Sequence, residues 1–115
     1  MKPDGIFEIQ AGICRTLSNP IRLQIIHVLR NGPMCVSDIT KAMGQSESMV
    51  SRNLGTLRNN HLVTAERQAQ EIIYSIANPK ITTICNLMRE VLIDEASHQS
   101  QLVLGFLNED SEEPA

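Results

Sequence analysis

The run Ser46-Glu47-Ser48-Met49-Val50-Ser51-Arg52-Asn53-Leu54 holds the side chains best placed for chemistry with a partner. With Val50 and Leu54 turned inward on a helix, Glu47, Ser48, Ser51 and Arg52 line its outer face over the first two turns. Short hydroxyls and a guanidinium at that spacing can reach base edges and phosphates in a major groove. Glu47 has two readings: an acceptor for cytosine N4, or an acid that the positive end of a helix favours. The other reactive groups are three thiols, Cys14, Cys35 and Cys85. They lack paired spacing and no secretory leader precedes them, which predicts free thiols in a reducing cytoplasm. Each is either a small packing residue or a site of oxidation and soft-metalloid binding.

Positioning those groups requires a specific order of elements. Val36, Ile39 and Met43 form one short apolar helical face, Gly44 breaks it, and Val50, Leu54 and Leu57 restart the period in a second helix. Cys35 or Ser37 caps the first of these, and Gln45-Ser46 joins the two. Asn59-Asn60-His61 closes the second, because Asn and His tolerate left-handed backbone. Leu62-Val63-Thr64-Ala65 and Ile72-Ile73-Tyr74-Ser75-Ile76 then read as two strands, with Gln68-Ala69-Gln70 at the hairpin tip. Helix, turn, helix and two-stranded ribbon make a winged helix-turn-helix.

Upstream, Ile6, Ile9, Ile13 and Leu17 form a helical stripe that ends at Ser18-Asn19-Pro20, a cap followed by a proline suited to a first helical position. A second helix carries Ile21, Ile25 and Leu29, widened by Leu23 and Ile26, and stops at Asn31-Gly32-Pro33. Downstream, Asn78-Pro79 opens a fifth helix with Ile81, Ile84, Met88, Val91 and Leu92, continuing through Leu102, Leu104 and Leu107 with a break near Gly105. The fold is therefore mainly α with a small β-hairpin. One domain spans 5–107, and an acidic disordered tail spans 108–115.

At 115 residues, 42% hydrophobic but 3% aromatic, the chain has a small aliphatic core that a second copy would complete. The apolar first and fifth helices are the natural surfaces for that homodimer. A formal charge of −3 is misleading, because Glu109, Asp110, Glu112 and Glu113 lie in the tail and leave the body slightly basic. That balance permits a nucleic-acid partner without demanding one. The longest apolar runs fall far short of a membrane span. No nucleophile–base pair, phosphate loop or Cys-x-x-Cys argues for an enzyme. His27 and His61 read as structural, and Met43 and Met88 as core.

Leu17-Ser18-Asn19-Pro20-Ile21-Arg22-Leu23, Met34-Cys35-Val36-Ser37-Asp38-Ile39, Ser51-Arg52-Asn53-Leu54 and Leu57-Arg58 together resemble the ArsR/SmtB family over about residues 5 to 95. The resemblance implies a homodimeric winged-helix repressor that binds a double-stranded DNA operator and is released by an inducer. It also implies that the fourth helix enters the major groove and that the first and fifth helices form the dimer. Carried over, Glu47, Ser48, Ser51 and Arg52 are the groove-reading positions, Arg67 is the wing's phosphate contact, and Lys41 and Arg58 are weaker candidates.

The departures shape the expected inducer. Asn53 stands where histidine is common and Gly55 where lysine is common, and the wing tip is neither basic nor glycine-containing, so modest, salt-sensitive affinity is expected. The family's fifth-helix metal site needs Asp-x-His near its start, where this chain has Asn78-Pro79-Lys80; Asp94, Glu95 and His98 come too late. Its thiolate site needs Cys-x-Cys, where this chain has Cys35-Val36-Ser37. We therefore expect no metal and no cofactor, and a thiol-reactive or thiophilic inducer acting through Cys14, Cys85 and Cys35. The alternative is a winged-helix module that has lost DNA and binds a protein through the same surface.

Overall fold

The computed structural model describes residues 3–95 and 105–108. The expected passage through Leu102 and Leu104, His98, and the acidic residues after Asn108 lie outside the described residues. Residues up to Thr82 form one compact unit, and those from Thr83 a second.

Among the described residues the elements follow in the order α1 (Pro3–Leu17), α2 (Pro20–Val28), β1 (Met34–Cys35), α3 (Val36–Met43), α4 (Glu47–Asn59), β2 (Val63–Gln68), β3 (Glu71–Ile76) and α5 (Pro79–Asp94). The start of α2 is set locally: Asn19 Oδ1 accepts from the amides of Ile21 at 2.9 Å and Arg22 at 3.1 Å, and Pro20 needs no partner for an absent N–H. A single 3₁₀ turn, Leu29–Asn31, finishes α2 before Gly32, whose φ of 142° suits a glycine. The core of the first unit lies where α2, α3, α4 and β2 meet, built from Ile25, Ile26, Leu29, Ile39, Val50, Leu54, Leu57 and Val63.

The ribbon has three strands rather than the two expected. β1 pairs antiparallel with β3, Met34 opposite Tyr74 and Cys35 opposite Ile73, giving the order β1-β3-β2. Two residues between Pro33 and a helix are too few for a periodic strand signal, so only the long-range pairing reveals it. The hairpin is also longer and tighter than expected. Gln68 pairs with Glu71, which leaves Ala69-Gln70 as the whole turn, and Leu62 precedes the strand.

Among the described residues, two non-glycine residues sit at positive φ, His61 at 61° and Ala69 at 58°. His61 closes α4 in a Schellman arrangement, with its own amide on Arg58 O at 3.0 Å and that of Leu62 on Leu57 O at 2.9 Å. Ala69 is the first central residue of a two-residue hairpin turn, where positive φ matches the twist of the strands. Left-handed backbone costs an L-residue about 1–2 kcal/mol, against about 0.5–1 kcal/mol of extra chain entropy for glycine. Ala69→Gly and His61→Gly should therefore each stabilise by about 0.5–1 kcal/mol and add in combination, raising the melting temperature by about 2–5 °C each. Thermal melts of the two singles and the double check this, and a fall at Ala69→Gly would contradict the turn assignment.

Candidate nucleic-acid interface

Helix α4 owes its orientation to a ridge on its inner side. Val50, Leu54 and Leu57 are fully buried, and the helix packs on α2, α3 and β2. Helix α3 supports it from beneath with Ile39 and Met43 buried, and ends at Gly44, whose φ of 66° and amide bond to Thr40 O at 2.9 Å turn the chain within one residue. Ser46 then caps α4, its Oγ accepting from the Met49 amide at 3.2 Å. The side-chain cap bond thus belongs to Ser46, leaving Glu47 exposed in the first turn with its carboxylate available to a partner.

Glu47, Ser48, Ser51 and Arg52 are all exposed and follow one another around the outer side of α4. Gly55 returns to that side two turns after Ser48, and a Cβ there would meet nothing within 4 Å. Nothing inside the protomer therefore demands a glycine at the centre of this face. Arg58 is exposed near the C-terminal end of α4, and Lys41 is exposed on the last turn of α3.

The wing sorts its charges by face. Because strand side chains alternate, Val63, Ala65 and Arg67 share one face with their partners Ile76, Tyr74 and Ile72. Glu66 and Glu71 lie on the other, with Thr64, Gln68, Ile73 and Ser75. Arg67, exposed one pair from the turn, is thus separated from both carboxylates of the hairpin.

One expected site feature needs correcting. Asn53, read as a lost groove cation, is 8% exposed and lies among the inward residues of α4. Its Nδ2 donates to Met49 O at 2.9 Å and its Oδ1 accepts from Arg22 Nη1 at 3.4 Å. The signal was present in the helical spacing, since position 53 falls on the same stripe as 50, 54 and 57. Arg22 was missed altogether as a site-building residue: its Nε also donates to Thr16 O at 2.5 Å, so one guanidinium joins α1, α2 and α4.

All three cysteines are free: Cys14 is exposed on α1, while Cys35 and Cys85 are buried. Cys35 occupies the N-cap position of α3 without a side-chain cap bond. Burial pushes the Cys85 thiol above the ordinary range, and the nearby Arg89 guanidinium offsets only part of that shift. Arg89 itself is held by Asn86 Oδ1 and lies over the Phe106 ring, 5.6 Å from its centroid. Among the described residues, no three His, Cys, Asp or Glu side chains gather as a metal would need. No helix among them is long and apolar enough to cross a membrane.

Residues 19–65, which contain α2 through the start of the wing, match the family described as bacterial regulatory protein, arsR family. The chain is 36% identical over 91 residues to the HTH-type transcriptional regulator NmtR of Mycobacterium tuberculosis, covering 79% of this chain and 69% of that one. It is 39% identical over 75 residues to a transcriptional repressor SmtB homolog of Synechocystis, covering 65% of this chain and 54% of the relative. A solved homodimeric winged helix-turn-helix DNA-binding domain from Mycobacterium bovis superposes with a TM-score of 0.74 at 28% identity, covering 83% of this chain and 88% of that one. The matched segment, the relatives and the architecture agree: this chain belongs to the arsR family of bacterial regulatory proteins, transcription regulators built on a winged helix-turn-helix.

Proposed function

We propose that the protein is a homodimeric repressor that lays α4 of each subunit into successive major grooves of an operator and is released by a thiol-reactive or thiophilic inducer. The observation that carries the DNA reading is the exposed face of Glu47, Ser48, Ser51 and Arg52, held outward by a fully buried ridge on the same helix. Ser48, Ser51 and Arg52 read base edges, Glu47 accepts from cytosine N4, and Arg67, Lys41 and Arg58 reach phosphates. The homodimer reading is supported by two unpartnered apolar stripes. Ile6, Ile9 and Ile13 are exposed on α1, as are Ile84, Leu87, Met88, Val91 and Leu92 on α5, where a lone protomer would leave them in water. The M. bovis neighbour, a homodimeric DNA-binding domain of the same fold, lends weight to both.

For the inducer, Cys14 and Cys85 lie on the two helices we assign to the dimer, so a two-electron oxidant or a trivalent metalloid that links thiols would strain that interface. Exposed Cys14 reacts first. Cys85, buried and kept protonated, reacts more slowly.

Titration of a labelled duplex at 50 and 200 mM salt tests the DNA reading, and the absence of salt-dependent binding would leave only the protein-interaction alternative. Arg67→Ala should weaken binding evenly across sequences and lower the salt slope by about 1, whereas Arg52→Ala should cost about 1–3 kcal/mol and relax sequence preference. Gly55→Lys, which has room, should raise affinity and steepen the slope by about 1. As to the inducer, Cys14→Ser and Cys85→Ser should bind the selected operator like wild type yet resist release by peroxide or arsenite in an anisotropy assay. Release unchanged in both variants would remove these thiols from the mechanism.

A further inference from the structure

The guanidinium of Arg22 ties together two elements with different tasks. Its Nε donates to Thr16 O in the last turn of α1, a carbonyl that has no partner within the helix, and its Nη1 donates to Asn53 Oδ1 in the middle of α4. Both ends are themselves fixed. The Arg22 amide is held by the Asn19 cap, the buried Thr16 hydroxyl donates to Gly12 O at 3.1 Å, and the Asn53 Nδ2 bond to Met49 O orients its amide so that Oδ1 faces Arg22. The aliphatic ridge of α4 supplies burial, but hydrophobic contact is non-directional and tolerates a few degrees of tilt. A planar guanidinium donating along fixed directions narrows that tolerance, through a short bond to Thr16 O and a longer one, 3.4 Å, to Asn53 Oδ1.

We propose that Arg22 is a positioning residue that sets the angle between α4 and α1, and thereby the spacing between half-sites that the dimer accepts. This rests on the reading of α4 as the groove helix and α1 as a dimer contact. The lever is long enough: Glu47 lies six residues, about 9 Å, from Asn53 along α4, so a tilt of about 10° about that contact moves each reading end by about 1.6 Å and the two ends of a dimer by about 3 Å together, close to the rise of one base pair. Asn53 lies on the side of α4 opposite the reading face, so losing this latch changes where the reading side chains point without removing any of them.

The test is selection from a random-sequence duplex library with full-length wild type, Arg22→Met and Asn53→Ala, followed by sequencing and thermal melts. Wild type should enrich inverted half-sites at one dominant spacing, favoured at least about 5-fold over spacings one base pair away. Both variants should enrich the same half-site letters while that preference falls toward parity. A purely structural role would lower the yield and leave spacing untouched, so an unchanged spacing in folded variants overturns the proposal. Should Arg22→Met fail to melt cooperatively, Asn53→Ala, which keeps the bond to Thr16, decides alone. If wild type enriches no inverted repeat, the operator reading itself falls and takes this inference with it; enrichment with unchanged spacing sinks only the inference.

Discussion

Burial of Val50, Leu54 and Leu57 along one side of α4 is the constraint from which the rest of the molecule follows. Each side chain is fully removed from water, a contribution of about 1.5–3 kcal/mol apiece, so rotating α4 about its axis would forfeit several kcal/mol. Once that side is committed to α2, α3 and β2, helical geometry leaves no choice about the other. Glu47, Ser48, Ser51, Gly55 and Arg52 must face outward. The exposed face we assign to the groove is thus a by-product of the core. Side chains on it can change without disturbing the fold, because they make no contact in the core.

Into this apolar ridge the chain inserts one polar side chain. A buried Asn53 without partners would cost about 1–3 kcal/mol, and both ends of its amide are satisfied, by Met49 O and by Arg22. The contact with Arg22 converts a greasy interface into a directional one, and it reaches the end of α1 through Thr16. Packing supplies the cohesion of the three helices while this small network supplies their angle. Outside this core, apolar side chains on α1 and on α5 stand exposed among the described residues. That exposure is why we read the functional unit as a pair.

Electrostatics in the protein is a matter of placement more than amount. The wing carries two carboxylates and one guanidinium, yet strand alternation puts Arg67 on one face and Glu66 and Glu71 on the other, so the single cation is not locally cancelled. A similar economy holds for the thiols. Cys14 is exposed, while Cys85 is buried with its thiol pushed above the ordinary range, so the two sit in contrasting environments.

Local patterns made most of this legible in the sequence. The periodic aliphatic residues, the Asn19-Pro20 start, the Gly44 break and the positive φ at His61 are each decided within a few residues, and the elements and the outward set 47, 48, 51 and 52 follow from them. Asn53 was legible too, since its spacing placed it on the buried stripe with Val50, Leu54 and Leu57. Strand β1 was not, because two residues carry no period and their partners Tyr74 and Ile73 lie about forty residues on. Nor was the role of Arg22, whose partners are Thr16 and Asn53, six residues back and thirty-one ahead. The sequence by itself determined which faces are apolar and where helices begin and end, because those depend on neighbours along the chain. Only the tertiary structure decided which distant polar groups meet, because a hydrogen bond of defined direction between separate helices exists only once packing has brought them together.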